Sequence, residues 1–434
     1  MASEGAILQG REITVPGAVL PLRDRVEPVN RILEKRLDEL LPQLMRETGI
    51  DMWLVINREY AEDPVYFTLV PEPVFAARRT TMLLFFDRGP EAGVERLTVS
   101  RYPFGSLYEP AWEGGDLEEQ WQGLTRAIVE RNPRRIGINT SREWPVADGL
   151  TAALRDRLLE VLDEKYAQRL VPAEDLVVRW LETRAADELD LYPGIVALAR
   201  AIISEAFSER VIVPGVTTTE DVSWYIAERF AALDLPIWFT PDVNLQRRGE
   251  PCGPEDDFCG ISGTIRRGDV LHTDVGICYL RLCTDTQEMG YVLAAGETGV
   301  PPGLEGALAA GNRWQDLLTA EFVTSRSGNE ILAAARRAAE TKGLLASVYS
   351  HPLGYFGHAP GPTIGMWDNQ GATPVQGDWP LHPSTAYAIE GNVKTPVAEW
   401  DGQLVQMKLE QSAVFDGERV RYLAGRQTTW HIVR

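Results

Sequence analysis

"LHTDVGICYLRLCTDTQ", residues 271–287, decides how the second half of the chain is read. Two aspartates, Asp274 and Asp285, stand eleven positions apart in a run otherwise rich in Leu, Val, Ile, Cys and Tyr. In a helix eleven residues span roughly 16 Å, too far for two carboxylates to share one ion. The residues argue against that helix, because Thr273, Val275, Gly276, Ile277 and Thr284 favour extended backbone. A hairpin centred on Tyr279–Leu280 sets Asp274 opposite Asp285, His272 opposite Gln287 and Gly276 opposite Cys283. Directly opposed Cβ atoms lie about 4.5–5.5 Å apart. Two carboxylates that close and away from water repel each other, so one takes a proton or a cation sits between them. The centre carries no Asn-Gly or Gly-Gly, and the pairing therefore rests on symmetry rather than on a turn signal. The chain holds 63 Asp and Glu, so two solvent-facing acids at strand ends are the plainer alternative for this pair alone.

Three further stretches supply partners. "SHPLGYFGHAPGPTIG" (350–365) carries His351 and His358 seven apart, in a Gly/Pro-rich context too irregular for a helix. "TAYAIEGNVKT" (385–395) places Glu390 at the end of a β-rich apolar run, and "LVQMKLEQSAVF" (404–415) places Glu410 inside another. An acid in a half-buried strand costs free energy unless it is paired or ligates a metal. Taken singly, the histidines read equally as surface loop residues and Glu410 as an outward-facing strand position. Taken together, Asp274, Asp285, His351, Glu390 and Glu410 form a hard, oxygen-rich set. It suits Mn²⁺, Fe²⁺, Co²⁺ or Zn²⁺ rather than a thiolate-loving metal. Four carboxylates carry enough charge for two divalent ions, which in such pairs sit about 3.5–4 Å apart.

The remainder of the chain bounds these readings. Its 434 residues predict two domains. Apolar residues make up 44% and charged residues 24%, as in an ordinary globular protein. A formal net charge of −20 argues against nucleic acid or an anionic membrane as partner. No apolar run reaches the ~18 residues of a membrane span. The start, "MASEGAILQGREITVPGAVLPL", does not read as a signal peptide. A cytoplasmic location is expected, with export of a processed form as the alternative. Cys252, Cys259, Cys278 and Cys283 fall within 32 residues without a C-x-x-C pair, so a structural zinc site is not expected. Free thiols are expected, with one local disulfide as the alternative.

Residues 1–172 alternate strands ("DMWLVI", "TTMLLFFD", "RIGIN") with a periodic helix at 117–132 and read as an α/β domain. Residues 173–434 group helices among long strand-like runs (269–288, 385–395, 403–424) and read as α+β. A helical run is expected over about 187–209. Thr217 with Glu220, and Ser327 with Glu330, have capping-box spacing ahead of two further helices. All five histidines lie in this second part.

The ordered set Asp, Asp eleven later, His, Glu, Glu resembles that of the pita-bread metallopeptidases, a family that includes methionine aminopeptidase, aminopeptidase P, prolidase and creatinase. "GDVLHTDVG" is similar to the family's Gly-Asp…Asp-x-Gly strand, and "AIEGNV" to its Thr-Ile-Glu-Pro-Gly segment. The layout resembles the longer members, with a smaller α/β creatinase-type domain preceding a C-terminal pita-bread domain. The resemblance implies two divalent metal ions, with manganese expected and Fe, Co or Zn as alternatives. Asp274 would chelate one ion, Asp285 and Glu410 would bridge both, and His351 and Glu390 would bind the other. A bridging hydroxide would attack the scissile carbonyl, with Glu390 also shuttling the proton and His358 contacting substrate. The implied activity is that of an Xaa-Pro-type aminopeptidase or dipeptidase acting on a short peptide or small amide, in a homodimer. Two alternatives stand beside it: a non-peptide substrate at the same metal site, in an amide or ring-opening hydrolase or a lyase, and a non-catalytic binding protein on this fold. The chain departs from the family in its surroundings. "GPEDDFCG" (253–260) lacks the usual upstream histidine, Pro352 follows His351, "HAPGP" replaces His-Glu, and Gln287 and Glu288 replace the usual residues after Asp285.

Overall fold

The computed structural model describes residues 19–434; the amino-terminal stretch read above lies largely outside them. The chain forms two compact units, Leu20–Leu181 and Glu182–Arg434. Residue 172, where the sequence places the boundary, ends the edge strand Leu170–Pro172 of the first unit, and a helix, Glu174–Glu182, follows it.

In the first unit, the apolar runs become the middle of a six-stranded sheet. Met52–Arg58 pairs antiparallel with Thr80–Asp87 and parallel with Ile136–Ile138. Trp121, Leu124 and Ile128 of the helix Leu117–Arg131 pack into the core beside Met52, Leu54 and Leu84. Asp116 and Glu119 close that helix's amino terminus with a reciprocal capping box.

The second unit is built on a nine-stranded sheet flanked by helices. Its central path runs Leu345–Val348, Thr385–Val397, Gln403–Phe415, Thr286–Val292, Val270–Val275, Asp242–Gln246. The helices Ala186–Ala206 and Thr219–Ala231 pack apolar faces onto one core, and Pro302–Thr319 and Gly328–Thr341 onto another. Ser327 and Glu330 form the expected capping box. The other box sits one residue later than expected, with Thr218 and Asp221 as the reciprocal pair. Thr217 instead accepts the Val213 N–H.

The hairpin of 271–287 forms, with its register two residues away from the expected one. Asp274 opposes Gln287 and His272 opposes Met289. The turn is Leu280–Arg281, both at positive φ (50° and 65°), the two-residue geometry that matches strand twist. No glycine or asparagine marks it, so the turn was invisible in the sequence. A shift of two keeps every side chain on its face, whereas a shift of one would have exchanged the faces. The new register sets Cys278 directly opposite Cys283. The free-thiol expectation is therefore corrected. Cys278 pairs with Cys283, Cys252 pairs with Cys259, and no cysteine among the described residues is free. Among the described residues no helix is long and apolar enough to cross a membrane.

Candidate metal centre

One row of residues crosses the central sheet. Asp242 pairs with Asp274, Asp274 with Gln287, Gln287 with Glu410, and Glu410 with Glu390. Directly paired residues project from the same face. Asp285 stands one residue before its strand and two from Gln287, so it joins the row diagonally. Ser412, two residues beyond Glu410, bonds the Asp285 backbone through its hydroxyl. The short strand His351–Leu353 pairs with Thr385–Val397 and sets His351 opposite Ala388, two positions before Glu390.

The five residues expected as ligands converge. His351 Nε2 lies 3.6 Å from Asp285 Oδ2, 3.9 Å from Glu390 Oε2 and 3.9 Å from Glu410 Oε1. Donor atoms of Asp274, Asp285 and Glu410 fall within 4.8 Å of one another, as do those of His351, Glu390 and Glu410. His358 joins Asp285 and His351 in a third such group. Asp274 Oδ1, Asp285 Oδ1, His351 Nε2 and both Glu410 carboxylate oxygens are buried without a hydrogen-bond partner. Orphaned lone pairs facing a common space are what a carboxylate-rich cation site requires, and the residues fit divalent metal.

The electrostatics agree. Burial pushes the Asp274 carboxyl up to about 7. Burial, together with repulsion among the acids, pushes Asp285, Glu390 and Glu410 well above the usual carboxylate range. Burial lowers His351 to about 3, leaving a neutral imidazole with a lone pair to share. Four mutually repelling carboxyls in low dielectric stay ionised only beside positive charge.

A directed chain of hydrogen bonds ends on Glu390. Lys408 Nζ donates to Asn244 Oδ1 (2.8 Å), and Asn244 Nδ2 meets His272 Nδ1 (2.9 Å). His272 Nε2 meets Gln287 Oε1 (2.9 Å), and Gln287 Nε2 donates to Glu390 Oε1 (2.8 Å). The amides at both ends require His272 to be neutral and protonated on Nε2. Burial, with Lys408 nearby, holds it well below its ordinary pKa. Every donor in the chain points towards Glu390.

A cavity of about 320 Å³ opens over this face. Trp238, Phe239, Phe258 and Trp367 wall it, and His358 stands in it with Nε2 3.3 Å from the Tyr349 hydroxyl. The Trp238 indole lies so close to Gly276 and Gly357 that a Cβ on either would overlap it. Among the described residues lining the cavity, Lys408 is the one cation. Its ammonium sits 3.7 Å from the Phe258 ring centre, and burial lowers its pKa to about 7.

The histidine-free segment has a structure of its own. The Cys252–Cys259 bridge closes a loop that brings Asp257 and Phe258 to the cavity. Lys394 Nζ holds the loop by the carbonyls of Gly253, Pro254 and Asp256. Gln406 binds the Cys259 N–H and the Asp257 carbonyl. Glu288 turns away from the site to pair with Arg200 and His431.

Sequence reasoning missed Gln287, His272, Asn244 and Lys408 as parts of one network. A signal for Lys408 was present. Gln406, Lys408, Glu410 and Ser412 alternate along one strand, and all four are buried. A polar stripe at period two along a buried strand marks a site face.

The sequence profile of metallopeptidase family M24 matches residues 195–413. Among curated proteins none matches the chain. Solved structures share its fold at low identity. An X-Pro aminopeptidase from Thermotoga maritima is 16% identical, covering 90% of this chain and 100% of its own, with a TM-score of 0.63. An Xaa-Pro dipeptidase from Bacillus anthracis is 16% identical, covering 94% and 100%, with a TM-score of 0.59. A dipeptidase from Mycobacterium ulcerans is 19% identical, covering 94% and 98%, with a TM-score of 0.59. With the acidic row and its histidine in place on that fold, the chain belongs to metallopeptidase family M24.

Proposed function

We propose that the chain removes an amino-terminal residue from short peptides, with Xaa-Pro bonds as its preferred substrate, using two divalent metal ions. The observation that carries this reading is the convergence of Asp274, Asp285, His351, Glu390 and Glu410, with unpartnered buried atoms on all of them but Glu390. Solved structures of this fold include proteins named X-Pro aminopeptidase and Xaa-Pro dipeptidase. In the proposed assignment Asp274, Asp285 and Glu410 would help to hold one ion, and His351 and Glu390, with Asp285 and Glu410 shared, would help to hold the other. Bound ions would supply positive charge that polarises the scissile carbonyl and acidifies water. Glu390, held at Oε1 by Gln287, takes up the proton of the attacking water and returns it to the leaving nitrogen. His358 contacts substrate near the reacting carbonyl, and the aromatic walls exclude water from it. Manganese is the expected ion and a homodimer the expected assembly.

The test loads the full chain with Mn²⁺, Co²⁺, Zn²⁺ or Fe²⁺ and assays Xaa-Pro and non-proline peptides. Metal-dependent release of the first residue is expected. Glu390→Gln should lower kcat by about a hundredfold to ten-thousandfold. Protein binding less than one metal per chain, or full activity in Asp285→Ala, would sink the mechanism. A second reading keeps the metal centre and changes the substrate to a small amide or other non-peptide. The loop 252–259, which presents Asp257 and Phe258 to the cavity from a segment without histidine, favours it. No turnover of any peptide by metal-loaded protein would select that reading.

A further inference from the structure

The row of site residues does not end at Glu390. Two short strands, Leu345–Val348 and His351–Leu353, lie along the same side of Thr385–Val397. Val348 pairs with Gly391 and His351 with Ala388, so the two strands keep one register. The position opposite Glu390 is then Tyr349, and the Tyr349 N–H donates to the Glu390 carbonyl (3.4 Å), as that pairing requires. Glu390 opposes Glu410 on its other side. Tyr349 therefore projects from the face that carries the candidate ligands. Its ring centre lies 5.1 Å from that of His351 and 5.7 Å from that of His358. The His358 ring makes edge-to-face contacts with Trp238 (4.9 Å) and His351 (4.6 Å). Tyr349 lines the cavity, with its hydroxyl 3.3 Å from His358 Nε2. Among the described residues that nitrogen is the hydroxyl's one hydrogen-bond partner. A phenol has one hydrogen to give and lone pairs to share, so one bond leaves it capacity that faces the cavity.

We propose that Tyr349 is a further catalytic residue: His358 Nε2–H donates to the phenolic oxygen, and the phenol donates its own hydrogen to the scissile carbonyl oxygen as that oxygen gains negative charge. The inference rests on the peptidase reading above and deepens it. In that reading His358 contacts substrate near the reacting carbonyl, and a hydroxyl 3.3 Å from its Nε2 reaches the same oxygen. The opposite arrangement, with the phenol's hydrogen on Nε2, would spend that hydrogen inside the protein and turn lone pairs towards a developing anion. Backbone pairing with Glu390 and the flanking His351 ring fix where the hydroxyl stands. A donor fixed in advance where charge develops needs no reorganisation during the reaction, and it acts more strongly in a cavity walled by aromatic rings than in water.

The experiment compares unmodified and Tyr349→Phe full chains, both loaded with Mn²⁺, on the peptide Ala-Pro-Ala. kcat should fall about a hundredfold, with KM, bound metal and melting temperature unchanged. A phosphinic peptide, whose tetrahedral phosphorus mimics the reacting carbon, should bind the variant more weakly by the factor lost in kcat/KM. The product Pro-Ala should bind both proteins alike. His358→Ala keeps the phenol but removes the group that orients it. Adding Tyr349→Phe to that variant should therefore cost under about tenfold more, because the two side chains act as a unit. Unchanged kcat in Tyr349→Phe, or equal phosphinic-peptide binding by both proteins, overturns the role of Tyr349 alone. Absence of metal-dependent cleavage by the unmodified chain overturns the peptidase reading with it.

Discussion

His272 shows how a residue outside the candidate ligand set can govern one inside it. Its ring joins Asn244 to Gln287, and Gln287 holds Glu390. A phenyl ring of similar size would leave Gln287 Oε1 buried without a donor. His272→Phe is expected to lose about 1–3 kcal/mol of stability and to weaken activity by freeing Glu390. Urea unfolding together with a pH–rate profile measures both, and an unchanged midpoint with an unchanged profile would contradict the role. Asp274, Asp285, Glu390 and Glu410 were legible as candidates because an acid in an apolar strand asks for a partner, and His351 because it falls among them in order. His272 was not, because a histidine in such a strand reads the same whether it binds a metal, a neighbour or nothing.

At the scale of the element, the hairpin carries both the chemistry and a wall of the cavity. Gly276 lies against the Trp238 indole, whose Nε1 donates to the Thr284 carbonyl at 2.9 Å. A methyl group there cannot fit without moving the ring or the strand. Gly276→Ala is expected to destabilise the protein by about 1–3 kcal/mol and to raise KM, because Trp238 walls the cavity. Thermal melting and steady-state kinetics test this, and wild-type values in both would show that the close approach is not required. The hairpin itself was legible from its β-branched residues and spaced acids. Its register was not, because Leu280–Arg281 adopts positive φ without a residue that advertises it. That two-residue difference also hid the Cys278–Cys283 pairing. The period of the strand kept both aspartates on one face all the same.

For the whole molecule, the buried acids link metal, pH and stability. The carboxyls of Asp274, Asp285, Glu390 and Glu410 are all raised above their unfolded values, through burial first and neighbouring acids next. A raised folded value means that the favourable contribution is fully present below about pH 4. It is lost as pH rises through the folded values, about 7 for Asp274. Divalent metal removes that loss by compensating the ionised groups. The gain in melting temperature on adding Mn²⁺ to metal-free protein should therefore grow from pH 5 to pH 8. At a hundredfold excess over Kd the expected stabilisation is about 2.7 kcal/mol. Equal melting temperatures with and without metal at pH 8 would rule the linkage out.

The sequence by itself determined the α/β and α+β character of the two parts and the strands that carry the candidate ligands, which its order and spacing proposed as one set. These are local properties, set by side-chain period, branching and the cost of burying charge. Tertiary structure alone decided the hairpin register, the two disulfides, the hydrogen-bond chain from Lys408 to Glu390 and the place of Tyr349 opposite Glu390. The register and the Cys278–Cys283 pair are local but hang on the backbone angles of Leu280–Arg281, whereas the hydrogen-bond chain and the row that ends on Tyr349 join residues far apart in the chain. Asn244, His272, Gln287 and Lys408 come from four strands, and only the order of those strands in the sheet makes them neighbours.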